Sequence, residues 1–305
     1  MNIKPIYEST GVPMRLAIFM SGSGSNAEKI IEEHLRQRET GDVSFEPVVM
    51  FTDNHESRAA EIAGKKFKNQ GFQIPLVVNP IDRFYARHFM SDGTLKNMDM
   101  RGQYDMQNGN TLVDHGVQAV ALAGYDYVIT DSICDNFVTM NVHPGDLRVQ
   151  FPPYHPKEGK RRYYGLAWVP SAKAILNGEK QVYTSVHLVT SELDGGPLLA
   201  VSEPQRVFEF ALSREELLGG MKSVFALRQF INEHSEMDDG YLKAKFPLYG
   251  FASDCQERLK VHGDWVIFPQ AIDNMARGFY QKDEQERLYF KNRPIPNGLE
   301  MEVRK

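Results

Sequence analysis

The first half of the chain alternates short apolar runs with longer amphipathic stretches. The apolar runs have the length of buried parallel strands, and the stretches between them have helical periodicity. The predicted strands are Arg15–Met20, Pro47–Phe51, Ile74–Val78 and Gln118–Ala123. Three helices are predicted: one after the first strand that ends near Leu35, one from about Ser57 to Phe67 and one near 104–115. This order predicts an α/β fold with a Rossmann-like, mostly parallel sheet, helices on both faces and ligands at the carboxyl ends of the strands.

The second half of the chain predicts another strand and a hairpin-like excursion. The apolar run 137–140 continues into Asn141-Val-His-Pro144, where the proline ends regular strand pairing. Residues 182–190 alternate as a strand does, and an acidic loop leads back into an apolar strand at 198–201. The Asn141 tetrapeptide therefore lies at a strand end, where such sheets bind ligands.

Composition and charge narrow the class of protein. The 305 residues are 42% hydrophobic and 25% charged, which is typical of a globular protein, and the formal charge of −5 argues against a nucleic-acid partner. The two cysteines have no spacing suited to a metal site or a disulfide framework. No apolar run approaches the ~20 residues that span a bilayer, and no signal-peptide pattern is present. We expect a cytoplasmic protein that acts on small molecules, without a membrane or nucleic-acid partner and without a metal.

A glycine-rich turn, Ser21-Gly-Ser-Gly-Ser-Asn26, follows the first predicted strand and precedes a helix. Glycines let backbone N–H groups face an anion, and the helix N-terminus adds a partial positive charge. The turn therefore predicts a phosphate site, although a plain turn capped by Ser25 or Asn26 has the same pattern. Gly22, Gly24 and Ala27 also fit the loose dinucleotide fingerprint, in which Asp53 would bind the ribose unless it caps the next helix.

Asn141 and His143 lie two positions apart on one strand, so they project to the same side of the sheet. An amide can hold a developing oxyanion, and an imidazole exchanges protons near neutral pH. The pair therefore suits acyl chemistry, whereas a strand-capping asparagine beside a buried histidine is the structural alternative. Asp194 precedes two glycines; it is either a turn residue or a carboxylate that keeps His143 charged and fixes its tautomer. The basic run 157–162 is a solvated loop or an anion-binding lid.

Taken together, these motifs resemble the glycinamide ribonucleotide transformylases, folate-dependent enzymes of the formyltransferase family. The similarity rests on Ser21-Gly-Ser-Gly-Ser-Asn26, Asn141-Val-His-Pro144 and Thr184-Ser-Val-His-Leu-Val-Thr-Ser-Glu-Leu-Asp-Gly-Gly-Pro197, which occur in the family's order. The resemblance implies the formyltransferase fold with 10-formyltetrahydrofolate as co-substrate. It implies formyl transfer to the amine of a phosphorylated ribosyl acceptor, with glycinamide ribonucleotide as the expected one, and leaves the oligomeric state open.

The resemblance also assigns roles to individual residues. It makes Asn141, His143 and Asp194 the catalytic residues. The residues implied to bind the phosphorylated acceptor are Gly24, Ser25, Asn26, Arg101 and Asp264. The residues implied to bind the folate are Tyr127, Val128, Ile129, Glu192 and Gly195.

Departures from the family pattern bear on the acceptor. Pro144-Gly-Asp-Leu147 follows the catalytic histidine where the family usually has Pro-Ser-Leu-Leu-Pro, so Gly145 stands in place of a serine. Tyr127 stands where the family has an arginine, and 165–169 lacks two histidines of the family. Another amine, or water in a formyltetrahydrofolate hydrolase, is the alternative acceptor; a dinucleotide-dependent oxidoreductase and a non-catalytic relative are more distant alternatives.

We expect a single formyltransferase-like domain over 1–305. Within it, 1–130 would bind the phosphorylated acceptor, 131–210 would carry the catalytic strand end and the folate loop, and 211–305 would form a helical extension. Residues 80–103 are expected to form an irregular excursion that carries Arg101. Insertions relative to the family are expected near 80–100 and near 210–250, the second of them helical. Ser213 and Ser253 begin capping-box patterns that predict helix starts.

Overall fold

A computed structural model describes residues 2–87 and 98–302. The strands are β1 (Lys4–Pro5), β2 (Met14–Met20), β3 (Phe45–Thr52), β4 (Leu76–Val78), β5 (Ala119–Leu122), β6 (Val138–His143), β7 (Gln181–Val182), β8 (Ser185–Leu188), β9 (Leu198–Ser202), β10 (Gln205–Arg206), β11 (Tyr280–Lys282), β12 (Leu288–Phe290), β13 (Arg293–Pro294) and β14 (Leu299–Met301). The helices are α1 (Ser25–Thr40), α2 (Ala59–Glu61), α3 (Ile81–Arg87), α4 (Met98–Asp114), α5 (Asp131–Cys134), α6 (Val169–Leu176), α7 (Arg214–Leu218), α8 (Val224–Glu233), α9 (Asp239–Lys245), α10 (Pro247–Leu259) and α11 (Trp265–Ala276). Ile62–Lys66 and Lys260–Asp264 are π-helical, and Lys68–Gln70 is a 3-10 turn. None of these described helices is long and apolar enough to cross a membrane.

An eight-stranded sheet organises the fold, with the strand order β14-β9-β8-β6-β5-β2-β3-β4. The pairs β2–β3, β2–β5, β3–β4 and β5–β6 are parallel. Because parallel strands end at the same edge, the carboxyl ends of β2, β5 and β6 lie at one edge of the sheet. The predicted α/β, mostly parallel fold is confirmed.

The chain forms two compact units. The first contains the chain up to Val142, Val186–Leu199 and Phe268–Leu299, and the second contains His143–Ser185, Ala200–Ile267 and the chain from Glu300. The prediction of a single domain, and of its three internal parts, stays a prediction.

Each unit has its own apolar core. In the first unit, Phe19 and Phe51 of adjacent strands stack with ring centroids 4.4 Å apart, and Tyr104 and Ile133 pack in the same cluster. In the second unit, helices α6 to α10 enclose a cluster that includes Ala172, Leu227, Phe246 and Leu259. Segment 210–250, predicted to be a helical insertion, therefore supplies part of this second core.

The helix boundaries include one confirmed and two wrong predictions. Ser213 caps α7 with both bonds of the capping box, as expected. Ser253 lies inside α10, because Pro247 begins that helix earlier with its fixed φ. The excursion expected at 80–103 is instead α3 and α4 where the structure describes it, and 88–97 lies outside the described residues.

Candidate active site

The glycine turn after β2 leads directly into α1. Gly24 has a φ of 69° and occupies the N-cap position without a side-chain cap, so the alternative in which Ser25 or Asn26 caps the helix is wrong. A Cβ on Gly24 would lie 2.4 Å from Ile62 Cδ1 and 2.7 Å from Met20 Cε, and the left-handed φ strains any residue with a side chain, so glycine is favoured at this position. Asn26 Oδ1 is buried without a hydrogen-bond partner among the described residues. The turn thus presents a helix N-terminus and one unsatisfied amide oxygen, which can only accept a hydrogen bond.

Asp53 stands beside this turn at the end of β3. Ser21 Oγ donates to Asp53 Oδ1 at 2.7 Å and accepts from the backbone N–H of Asp126 at 3.0 Å. Burial raises the pKa of Asp53, and the hydrogen bond from Ser21 opposes that shift. Asp53 does not cap α2, whose N-cap is Arg58. Ser21 therefore ties the ends of β2 and β3 to the segment after β5.

Arg101 lies on the inner side of α4 and is 2% exposed. Its Nε donates to the Val128 carbonyl at 2.8 Å, its Nη2 donates to Tyr125 Oη at 2.7 Å, and Asp105 Oδ1 lies 3.3 Å from Nη2. Burial raises the pKa of Asp105 despite the nearby guanidinium. Arg101 thus binds the main chain of the segment predicted to hold the pterin. Tyr127 is half-buried and 5.3 Å from the guanidinium, while Ile129 is buried.

Asn141, His187 and Asp194 form a connected group in the first unit. His187 Nδ1 lies 2.7 Å from the Leu188 carbonyl, which can only accept, so Nδ1 carries a proton. His187 Nε2 lies 3.2 Å from Asn141 Nδ2 and 3.8 Å from Asp194 Oδ1. In its neutral form the ring accepts the Asn141 N–H, and in its charged form Asp194 is its counterion. The structure thus brings together two of the three predicted catalytic residues through a histidine.

The loop that carries Asp194 is built around close backbone approaches. Asp194 has a φ of 52°, in the left-handed region that aspartate and asparagine tolerate best among residues with a side chain. Gly195 donates its N–H to the Glu192 carbonyl at 3.0 Å, which closes the turn. A Cβ on Gly196 would lie 1.9 Å from the Leu188 carbonyl oxygen. Gly196 therefore allows the loop to return against β8 and places Asp194 near His187.

His143 ends β6 and belongs to the second unit. It is 3% exposed, and its Nε2 lies 2.7 Å from the Tyr163 carbonyl oxygen. Also in the second unit, Asp264 is 5% exposed and accepts a 2.6 Å hydrogen bond from Thr184 Oγ1. Asp264 lies in the π-helical segment before α11, and its role as an acceptor ligand stays a prediction.

Sequence reasoning missed three residues of this site: His187, Ser21 and Tyr125. His187 belongs to the motif that carries the family resemblance, and its position on a strand beside β6 was the available signal. Tyr125 could have been found from its place at the carboxyl end of β5. No sequence signal identified Ser21, because its role depends on the register of three strands.

The described residues supply a helix N-terminus that suits a phosphate and a buried arginine that binds a main-chain carbonyl. They also supply the Asn141 amide beside the His187 imidazole and the Asp194 carboxylate. Among residues 2–87 and 98–302, no group of three or more His, Cys, Asp or Glu side chains could hold a metal ion. Fold and site together define an α/β protein of the Rossmann-like class with its candidate site at the carboxyl edge of a mostly parallel sheet.

Comparison with known proteins gives the family. The family model described as Formyl transferase matches residues 14–217, which is more than half of the chain. The chain therefore belongs to the formyl transferase family.

Individual relatives agree with this assignment. The chain is 30% identical over 191 residues to the chloroplastic phosphoribosylglycinamide formyltransferase of Arabidopsis thaliana, covering 62% of this chain and 54% of that protein, so it spans about half of that relative's length. It is 24% identical over 188 residues to the phosphoribosylglycinamide formyltransferase of Escherichia coli, covering 61% and 70% of the two chains.

Solved structures share the fold. The phosphoribosylglycinamide formyltransferase of Coxiella burnetii superposes with a TM-score of 0.56 at 16% identity, over 95% of this chain and all 100% of that one. The corresponding enzyme of Anaplasma phagocytophilum has a TM-score of 0.56 at 18% identity, over 94% and 98%. The expected formyltransferase fold is thereby confirmed.

Proposed function

We propose that this protein transfers the formyl group of 10-formyltetrahydrofolate to the primary amine of a phosphorylated ribosyl acceptor, with glycinamide ribonucleotide as the acceptor. The observation that carries the proposal is the group Asn141, His187 and Asp194, which lies inside the segment matched by the family model. The relatives from Arabidopsis thaliana, Escherichia coli and Haemophilus influenzae are named phosphoribosylglycinamide formyltransferases, and these names support this choice of acceptor.

The catalytic roles follow from the chemistry of acyl transfer. The acceptor amine attacks the formyl carbon, a new C–N bond forms, the bond to the folate nitrogen breaks, and the amine proton passes to that nitrogen. Asn141 donates its amide N–H to the oxyanion of the tetrahedral intermediate, and His143 stabilises it as an imidazolium. Asp194 supplies a negative charge that favours the protonated imidazole of His187, whose Nε2 lies 3.8 Å from its carboxylate. Loss of one such donor raises the barrier by about 2.7–4 kcal/mol.

The described residues fit both substrates. The N-terminus of α1 and the left-handed Gly24 suit a phosphate, and we keep Ser25 and Asn26 as its expected ligands. The main chain at Val128 and Ile129, held by Arg101, suits the flat pterin ring of the folate. Arg101 Nη1 is buried without a hydrogen-bond partner among the described residues, and we keep Arg101 as a ligand of the acceptor phosphate, as the family resemblance implies.

The remaining assignments extend this proposal. Glu192 and Gly195 close the loop at the folate side, and Asp264 binds the acceptor ribose. We place the reaction in the cytoplasm, with small molecules as partners, although the Arabidopsis relative is described as chloroplastic.

The test is release of tetrahydrofolate from 10-formyltetrahydrofolate, measured with glycinamide ribonucleotide, with a panel of other amines and with buffer alone. We expect release that depends on glycinamide ribonucleotide, and a loss of at least ~10²-fold in Asn141→Ala. Release in buffer alone at the same rate would identify a hydrolase, and release that requires a different amine would correct the acceptor. Asn141→Ala turning over at the wild-type rate would contradict the mechanism.

A further inference from the structure

The His143 imidazole has a hydrogen-bond partner that fixes its chemistry. Its Nε2 lies 2.7 Å from the Tyr163 carbonyl oxygen, and the ring is 3% exposed. A carbonyl oxygen can only accept a hydrogen bond, so Nε2 must carry a proton in both the neutral and the charged ring. The neutral ring is then the Nε2–H tautomer, and Nδ1 is the nitrogen that gains and loses the exchangeable proton.

Gly145 makes this contact possible. A Cβ at Gly145 would lie 2.7 Å from the Tyr163 carbonyl oxygen and 2.9 Å from both His143 Nε2 and Pro170 Cβ. The glycine is therefore required by space, since the donor and the acceptor of the hydrogen bond both lie against it. The family pattern has a serine at this position, so the close approach is a departure of this chain from that pattern.

The segment around Gly145 is held from its other side by a buried hydroxyl. Ser185 Oγ donates to the Gly145 carbonyl at 2.7 Å and accepts from the Leu147 N–H at 3.1 Å. Ser185 is completely buried. The turn after His143 consequently has little freedom to move away from Tyr163, and an added side chain at 145 must displace the carbonyl instead.

The loop 149–162, which contains the basic run 157–162, holds the Tyr163 carbonyl beside His143. Its base is closed by backbone hydrogen bonds from Phe151 to Lys160 and from Arg162 to Val149, each 2.9 Å long. The Tyr163 ring is 2% exposed, and its hydroxyl donates to Glu179. Residues 149–162 thus form a closed hairpin, and the residue that follows it, Tyr163, supplies the carbonyl that binds His143 Nε2.

We propose that the main-chain carbonyl of Tyr163 is a positioning group that holds His143 as the Nε2–H tautomer, so that Nδ1 exchanges protons with the reacting groups, and that Gly145 provides the room for it. The catalytic part of this inference rests on the proposed formyl transfer, whereas the tautomer does not. A carbonyl acceptor also orients the ring, and misplacement by about 1 Å can cost 10²-fold in rate.

The experiment is a long-range ¹H–¹⁵N spectrum of the histidine rings at a pH where they are neutral, with His143→Gln to assign the signals. Wild type is expected to show a protonated Nε2 and an unprotonated Nδ1 at His143. Gly145→Ala is expected to give a mixture of tautomers and a fall in kcat of at least about tenfold, with KM for both substrates changed less.

Two control variants accompany the measurement. Tyr163→Phe keeps the carbonyl and loses only the hydroxyl bond to Glu179, so it is expected to keep the wild-type tautomer. Gly64→Ala adds a methyl group where no atom lies within 4 Å, so it is expected to keep both the tautomer and the rate.

Wild type with a protonated Nδ1 and an unprotonated Nε2 would overturn the proposal, as would Gly145→Ala with the wild-type tautomer and kcat. The wild-type spectrum alone decides the tautomer if Gly145→Ala fails to fold. The Nε2–H tautomer in a protein that releases no tetrahydrofolate with any amine would leave the tautomer assignment standing and reject the proposed function. The two failures are therefore distinguishable.

Discussion

Replacing Asp194 by asparagine and by alanine separates the effect of its charge from the effect of its backbone conformation. Asp194 has a φ of 52°, is 8% exposed and lies 3.8 Å from His187 Nε2. In the left-handed region the Cβ of any residue lies close to the following carbonyl, at a cost of about 1–2 kcal/mol. The short polar side chains of aspartate and asparagine offset this cost by hydrogen-bonding locally, whereas alanine cannot. Both replacements remove the carboxylate, so only their backbone costs differ.

We therefore expect Asp194→Asn to change the free energy of unfolding by less than about 0.5 kcal/mol and Asp194→Ala to lower it by about 1–2 kcal/mol. Both variants should lose at least ~10²-fold in turnover, equivalent to about 2.7 kcal/mol of barrier, because neither carries the charge that favours the protonated imidazole of His187. Urea denaturation measures the first quantity, and tetrahydrofolate release measures the second.

A matched control is Glu203→Gln, which neutralises an exposed carboxylate and should change neither quantity. Turnover in Asp194→Asn within a few-fold of wild type would refute the reasoning and make Asp194 a turn residue. Equal stability of the asparagine and alanine variants would refute the backbone argument.

Three further predictions concern stability. Arg101→Ala should lower the free energy of unfolding by about 3–5 kcal/mol in urea denaturation, because it leaves Asp105 buried without its cation; a loss below 1 kcal/mol would contradict this. Gly196→Ala should cost about 1–3 kcal/mol and also lower tetrahydrofolate release, because its Cβ would collide with the Leu188 carbonyl; wild-type values for both would be the contrary result. Burial lowers the pKa of His34 from about 6.5, so the unfolded chain binds the proton more readily and stability falls as the pH drops below 6.5, by up to about 1.4 kcal/mol per pH unit. His34→Gln should flatten this dependence in urea midpoints between pH 5 and 7.5, and an unchanged slope would argue against it.

The parallel sheet could be predicted because its strands are apolar on both faces. The strands predicted at 15–20, 47–51 and 118–123 correspond to β2, β3 and β5 within two residues at each end. The helix α4 could not be predicted over its full length, because the residues it buries are largely polar. Arg101, Asp105 and Asn108 lie on its buried side. The buried positions therefore recur with helical spacing, but because they hold polar residues the sequence shows no helical pattern of apolar residues.

The candidate site was predictable where a motif lies in one segment of the chain. The glycine turn and the Asn141 strand end both occupy the expected carboxyl edge. The partners of these residues come from distant segments: His187 for Asn141, and Val128 for Arg101. Such pairs depend on strand order and register, which a single sequence does not specify.

The shared core of the second unit limits how this protein can be re-engineered. Leu217, Leu227 and Phe246 from the segment between β10 and α10 pack in the same cluster as Ala172 and Ile175 of α6. Deleting that segment to shorten the protein would expose the apolar face of α6 to water and promote aggregation. A reporter tag or fused domain belongs instead at the tip of the loop around Tyr154, whose side chain is fully exposed and which lies beyond the hydrogen bonds that close the base of the hairpin.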